Sequence, residues 1–386
     1  MLALGERLAA RGHDVTLETW RRWRGHVEAA GMTFATAPEY HVFPTRERPL
    51  KPYQAVVRAA QETAGLVAQL RPAAVVADIL TLGPALAGEL EGVPVATVVP
   101  HVFPVNAADH PPYALGARVP RTAAGRALWR AVAGPTDGGL RRGRQELNHT
   151  RGLVGLPALG HVHGGISRGL CLVATFPQLE YPREWPRWTR VVGPLMWEPP
   201  ADDVDPPPGD DPLVLVAPST SQDPDHRLLR AALKGLADAP VRVLATWNRR
   251  APVRPIPTPS NARLVEWVSY SRTMPRCDLV VCHGGHGTVA RALACGVPVV
   301  ASPSGGDMGE NAARIDWAGV GVRLPWRLCT PRALRLAVER ALADPLVAAR
   351  ARAMSAWAAA SDGPERAADE VERFAAQASV RPTGLG

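Results

Sequence analysis

The chain has 386 residues, 46% of them hydrophobic and 21% charged, which is long enough for two domains of ordinary size because single cores rarely keep growing past roughly 250 to 300 residues. No apolar run approaches the roughly 20 residues needed to span a bilayer, and no leader of charged, apolar and small residues opens the chain, so a cytoplasmic protein is expected and only peripheral membrane contact stays open. The net charge of +8 does not argue for nucleic acid: lysine occurs only at Lys51 and Lys234, the rest is arginine in an Ala-, Gly- and Pro-rich chain, and no nucleic-acid signature accompanies it.

The five cysteines are odd in number and never spaced Cys-x-x-Cys, so a disulfide framework is not indicated. In chain order, periodicity predicts helix 2–11, strand 14–19, helix 21–30, strand 32–36, helix 53–70, strand 74–78, helix 82–90 and strand 94–99. Helices at 121–133 and 138–150 follow, then strands near 170–175 and 189–192. The stretch GPLMWEPPADDVDPPPGDDP, 193–212, interrupts the alternation with prolines and acids and reads as an interdomain linker.

Beyond it come strand 213–217, helix 226–237, strands 241–246 and 262–267, a short helix at 271–276, strand 278–282, helix 287–295 and strand 298–302. Helices at 309–318, 330–343, 345–360 and 364–378 close the pattern. Alternating strands and helices of this kind build doubly wound parallel sheets, in which ligands bind beyond the carboxyl ends of the strands.

The sharpest local signal is VVCHGGHGTVARALACGVPVV, 280–300. Glycines between a strand and a helix permit a tight turn and let backbone N–H groups approach an anion at the positive end of the helix dipole. A phosphate seat is one reading, with Thr288 in the first helical turn and His283 at the strand end; a plain structural turn capped by Thr288 is the other. Zinc held by Cys282, His283, His286 and Cys295 is disfavoured, because adjacent strand residues point to opposite faces.

The continuation favours the phosphate reading. His283-Gly284-Gly285, Gly287-Thr288, Ala292-Leu293, Gly296-Val297-Pro298, Pro303, Gly306-Asp307, Glu310-Asn311-Ala312-Ala313-Arg314 and Gly319-Val320-Gly321 together resemble the donor-binding signature of family 1 glycosyltransferases. The resemblance implies the GT-B fold, two Rossmann-like α/β domains facing a cleft: residues 1–192 for the acceptor, linker 193–212, residues 213–360 for the nucleotide sugar, and a last helix and tail, 361–386, returning to the first domain.

It also implies an inverting transfer of a hexose-type sugar from a UDP- or dTDP-sugar, a co-substrate, to a small lipophilic acceptor. No metal or other cofactor is implied, and the protein would be a monomer or homodimer. A nucleotide-sugar-binding protein without transfer activity is the alternative.

Carried over by position, the resemblance gives His283, Gly285, Gly287 and Thr288 to the diphosphate. Trp267 and the Val268 backbone fall to the nucleobase, Asp307 to sugar hydroxyls, and Ser219 and Thr220 to a hydroxyl-bearing turn near the diphosphate. Three positions depart from the pattern: Arg291 where many relatives carry a glutamate for the ribose, Met308 in place of a glutamine, and Ser269-Tyr270 in place of Pro-Gln.

The chain opens MLALGERLAARGHDVTLET, which resembles the family's first helix and second strand, so the first strand and its histidine loop are expected to be missing, through a late-assigned start or a real loss. Asp78 stands where the family orients its catalytic histidine, and His101 is the best substitute base. Phe103 and Tyr113 are expected on the acceptor side with Tyr40, Phe43, Tyr53 and Trp129, and His286 is left without a role.

Overall fold

The computed structural model describes residues 1–37, 54–107, 109–113, 115–136, 138–219 and 222–380. The first half contains α1 (Leu2–Ala10), β1 (Thr16–Thr19), α2 (Arg24–Ala29), β2 (Thr33–Thr36), α3 (Gln54–Leu70), β3 (Val75–Asp78), α4 (Leu82–Leu90) and β4 (Val95–Val99). It continues with α5 (Ala123–Thr136), α6 (Gly138–Leu153), β5 (Leu170–Val173) and β6 (Thr189–Val191).

The second half opens with β7 (Leu213–Ala217), α7 (Arg227–Gly235), β8 (Arg242–Thr246), β9 (Ala262–Val265), α8 (Tyr270–Thr273), β10 (Leu279–Cys282) and α9 (His286–Ala294). Then come β11 (Val299–Ala301), α10 (Met308–Ala318), β12 (Gly321–Arg323), α11 (Pro331–Ala343), α12 (Pro345–Ala360) and α13 (Gly363–Val380). No helix among the described residues is long and apolar enough to cross a membrane.

Strands β7 to β12 form one parallel sheet in the order β12-β11-β10-β7-β8-β9. Both of its faces are covered, and the apolar strand sequences show why. In β7, Leu213, Leu215 and Ala217 pack with Val289 and Leu293 of α9 and Ile315 of α10, while Val214 and Val216 pack with Leu228 and Leu229 of α7 and Leu334 and Val338 of α11. Two-residue alternation thus supplies two cores from one continuous apolar strand.

Strands β3 to β6 form a second parallel sheet in chain order, and β1 pairs with β2 in a separate parallel pair. Leu4 and Leu8 of α1 and Ala367, Ala368 and Val371 of α13 share a core with Ala96, Val98, Leu170 and Leu172. Arg11 ties the two helices by bonding Glu365, Asp369 and Glu372.

Three details differ from the sequence reading. Strand 262–267 ends at Val265, which leaves Trp267 in the following loop. Helix 21–30 splits into a 3₁₀ turn over Arg21–Trp23 and α2. Strand β12 is not among the expected elements and is fixed by pairing Gly321 with Val299; a methyl at Gly321 would overlap the Val299 carbonyl oxygen.

Candidate functional site

In the six-stranded sheet the chain runs outward one way from β7 and the other way from β10, so the order reverses between these two neighbours. Parallel sheets open a crevice at such a point, beyond the strand ends. Cys282 pairs there with Ala217 on one side and Ala301 on the other, which brings three strand-end loops together.

The loop after β10 is the glycine-histidine segment. Gly284 turns the chain at φ +83°, in the left-handed region that favours glycine, and a side chain there would press on the Met308 carbonyl. Gly285 is the N-cap of α9 and supplies no side-chain cap, so the N–H groups of the first helical turn are left for an outside acceptor. Gly287 is exposed and Thr288 half-buried in that turn.

His283 stands beside it. Its Nδ1 lies 3.4 Å from the Ala217 carbonyl, its ring packs over Gly285, and burial holds the imidazole below the usual histidine range. Cys282, by contrast, is fully buried, with its thiol pushed up to about 12 by burial and its sulfur accepting the Gly284 N–H. Strand alternation sends the two side chains apart, and among the described residues no group of three or more His, Cys, Asp or Glu is placed to hold a metal ion.

Asp307 precedes α10, and its Oδ2 accepts from Asn311 Nδ2 at 3.2 Å. The same Asn311 nitrogen donates to the Gly284 carbonyl at 2.9 Å. This buried asparagine, quoted from the sequence within Glu310–Arg314 but given no role there, locks the glycine loop to Asp307. Its place in that signature, one turn after Asp307, is the signal the sequence carries.

Ser219 is buried, and its hydroxyl accepts from the Gln222 N–H, which closes the turn after β7. Thr220 lies outside the described residues, as do Tyr40, Phe43 and Tyr53. Trp267 stacks on Tyr270 with ring centroids 5.8 Å apart, and the Arg249 guanidinium sits 4.5 Å from its ring centre. The Val268 side chain is fully buried in the core.

The departures from the family pattern have local partners. Glu198, in the linker, accepts from the Tyr270 N–H at 2.6 Å and the Ser271 N–H at 2.9 Å, and so caps α8. Arg291 lies 3.9 Å from the same carboxylate. Met308 receives a weak bond from the Ser304 hydroxyl to its sulfur at 3.5 Å.

Across the crevice lies the carboxyl edge of the first sheet. Asp78 ends β3 and its Oδ1 accepts from the Leu80 N–H at 2.8 Å, the geometry of a turn-forming aspartate. His101 Nδ1 lies 2.8 Å from the Val102 carbonyl and 3.1 Å from the Tyr113 hydroxyl. With Nδ1–H given to a carbonyl, Nε2 carries the lone pair.

Tyr113 joins the two sides: burial first, then Asp307 and Glu310, holds its hydroxyl above the usual tyrosine range. Its loop then crosses α10 at Gly116, where a methyl would come within 2.8 Å of the Gly309 carbonyl oxygen. His286, the first residue of α9, reaches over to the Ala174 carbonyl with Nε2 at 3.2 Å.

Phe103 is placed differently from expectation. It is fully buried in the core against Val99, Cys171 and Val173, with Trp185 at 5.5 Å and Trp188 at 6.1 Å, so its ring does not face the cleft. A residue two places beyond a strand-end histidine shares that histidine's side of the chain only while the backbone stays extended, and here it turns into the core.

Comparison with known proteins agrees with this architecture. Residues 230–374 match the family model described as the C-terminal domain of erythromycin biosynthesis protein CIII-like proteins. The chain is 30% identical over 403 residues to 4'-demethylrebeccamycin synthase of Lentzea aerocolonigenes, covering 96% of this chain and 95% of that protein. It is 33% identical over 261 residues to O-mycaminosyltylonolide 6-deoxyallosyltransferase of Streptomyces fradiae, across 64% of this chain and 59% of that one.

Among solved structures, the calicheamicin glycosyltransferase CalG4 superposes with a TM-score of 0.73 at 24% identity, covering 99% of this chain and 95% of its own. The glycosyltransferase VinC in complex with dTDP does so with a TM-score of 0.70 at 20% identity, covering 98% and 96%. With a relative 30% identical and matched over 95% of its length, and with the same overall fold, the chain belongs to the natural-product glycosyltransferases of family 1, which are built on the GT-B fold.

Proposed function

We propose that the protein transfers a hexose-type sugar, with inversion, from a dTDP- or UDP-sugar to a hydroxyl of a small lipophilic acceptor. The observation that carries this reading is the uncapped N-terminus of α9 beside His283, set at the point where the sheet order reverses and facing His101 and Tyr113 across the cleft. Two of the similar structures, VinC and SsfS6 from Streptomyces sp. SF2575, were solved with thymidine diphosphate, which supports a nucleoside diphosphate as the donor's carrier.

In this reading the diphosphate lies against the first-turn N–H groups of α9, with the Thr288 hydroxyl and a ring N–H of the neutral His283 imidazole donating to its oxygens. Trp267 and the Val268 backbone take the base, Asp307 accepts from sugar hydroxyls, and the turn at Ser219 and Thr220 borders the diphosphate. The acceptor oxygen gives its proton to Nε2 of His101 and forms the new bond to the anomeric carbon as the bond from that carbon to the diphosphate oxygen breaks. The charge left on the diphosphate is stabilised by the helix N-terminus and His283, without a metal cofactor.

Residues 1–192 are read as the acceptor domain and 213–360 as the donor domain, joined by linker 193–212, with 361–386 bracing the first. Tyr113 borders the acceptor, and Asp78 shapes the neighbouring turn. The expected setting is cytoplasmic, as monomer or homodimer.

Calorimetry with dTDP and UDP tests the core of this reading. His283→Ala is expected to weaken binding of the preferred nucleotide by about 10- to 100-fold, the equivalent of one charge-assisted hydrogen bond. Unchanged affinity in that variant refutes the assignment.

A further inference from the structure

The two sides of the cleft are joined by a buried ionic connection that the transfer reading does not use. Arg314, on α10, is 2% exposed, and its Nη1 donates to the Leu179 carbonyl at 3.0 Å and to Glu180 Oε2 at 3.3 Å. Its Nε donates to Glu310 Oε1 at 3.1 Å, and its guanidinium lies 3.5 Å from the centre of the Tyr181 ring.

Glu180 belongs to the other half of the chain. It is also buried, and its second oxygen accepts the Phe103 N–H at 2.6 Å. Phe103 lies two residues beyond His101, and Arg314 lies two turns beyond Asp307 on one unbroken helix. A continuous path therefore runs from the helix bearing Asp307 and Asn311, through Arg314 and Glu180, to the backbone of the His101 loop.

Such a path is a costly way to add stability. Buried ion pairs repay their desolvation poorly, and apolar replacements of similar volume often do as well, so a role in fixing geometry accounts better for two buried carboxylates on one guanidinium. Burial holds the Glu310 carboxyl above the usual range, offset by the neighbouring Arg314 charge.

We propose that Arg314 and Glu180 are positioning residues that set the spacing between the His101 loop and the donor-side helix α10. What that spacing serves rests on the transferase reading above. The connection itself does not, because it makes a prediction about the Phe103 amide that requires no turnover.

The test uses Arg314→Met, Glu180→Gln and the double variant in the full chain. Hydrogen exchange over the peptide containing Phe103, dTDP affinity and steady-state kinetics are measured on each. Arg314→Met is expected to speed exchange at the Phe103 amide at least 10-fold, although residue 314 does not touch it. The dTDP Kd should stay within about threefold, since the phosphate seat is untouched, while kcat falls 10-fold or more.

The double variant should be no worse than Arg314→Met alone, because both cut the same link. Glu180→Gln keeps an acceptor for the Phe103 N–H but loses the charge for Arg314, so it should lower kcat with little change in nucleotide affinity, and it serves if Arg314→Met does not fold. Unchanged Phe103 exchange in folded Arg314→Met, or kcat and nucleotide affinity declining in parallel, overturns the proposal. If the unaltered protein neither binds dTDP nor transfers a sugar, the transferase reading fails while the exchange result still decides the connection.

Discussion

Gly285→Ala isolates the geometry of the proposed phosphate seat from its chemistry. Gly285 has φ −61° and ψ 134°, which any residue adopts, so alanine adds no backbone strain. The added methyl instead meets the His283 ring: it would overlap Nε2 and lie 3.1 Å from both Cδ2 and Cε1. Contacts that close force the imidazole to swing away by on the order of 1 Å, since carbon atoms prefer separations of about 3.5–4.0 Å.

Moving the ring lengthens its 3.4 Å contact to Ala217 and withdraws Nε2 from the helix N-terminus. Stability should change little, by about 1 kcal/mol at most, the scale of exchanging a helix N-cap residue. Nucleotide affinity should fall by the value of one charge-assisted bond, about 1.5–3 kcal/mol, or about 10- to 100-fold in Kd. Calorimetric titration with dTDP measures this in Gly285→Ala, His283→Ala and the double variant, and the double should bind no more weakly than His283→Ala. If Gly285→Ala binds normally, or adds its full effect on top of His283→Ala, the ring is not what the glycine accommodates.

The placement of Phe103 separates stability from acceptor binding. Phe103→Ala should cost about 3–5 kcal/mol of folding stability in denaturant titration, as for an aromatic removed from a packed core. Tyr113→Phe removes only the hydroxyl 3.1 Å from His101 and should alter the pH profile of kcat while leaving Tm nearly unchanged.

His286 supplies a pH dependence. Its pKa is pushed down to about 4, first by burial and then by His101, from an unfolded value near 6.5. Between these values the unfolded chain binds more protons, so stability rises with pH across that window and is lost as pH falls, by up to about 1.4 kcal/mol per pH unit. His286→Gln should flatten this part of a Tm-against-pH curve; an unchanged slope would assign it to other groups. Arg291→Glu places a second carboxylate beside the largely buried Glu198 and should lower stability by about 2 kcal/mol in thermal unfolding, whereas an unchanged Tm would show that Glu198 is held by the α8 amides alone.

The features legible in the linear sequence are those governed by short-range rules. Apolar runs such as Leu213–Ala217 announce buried parallel strands, and a glycine loop between strand and helix announces exposed N–H groups, because backbone geometry over five to ten residues decides both. The same local logic separates Cys282 from His283 by strand alternation. Even so, the three-residue β12 escaped notice, because its existence depends on Gly321 fitting against Val299 from another segment.

Tertiary structure alone decided what lies opposite each of these local features. Asn311 reaches the Gly284 carbonyl 27 residues away, His286 reaches Ala174 across 112 residues, and Arg314 reaches Glu180 across 134. No local rule selects such partners, since they follow from how helices and loops from distant segments pack together. Phe103 shows the same limit from the other direction: its sequence neighbourhood points to the cleft, and packing against Trp185 and Trp188 turns it inward. Local chemistry in the sequence therefore determined a strand-loop-helix turn with an uncapped helix N-terminus, and long-range packing determined which residues face it.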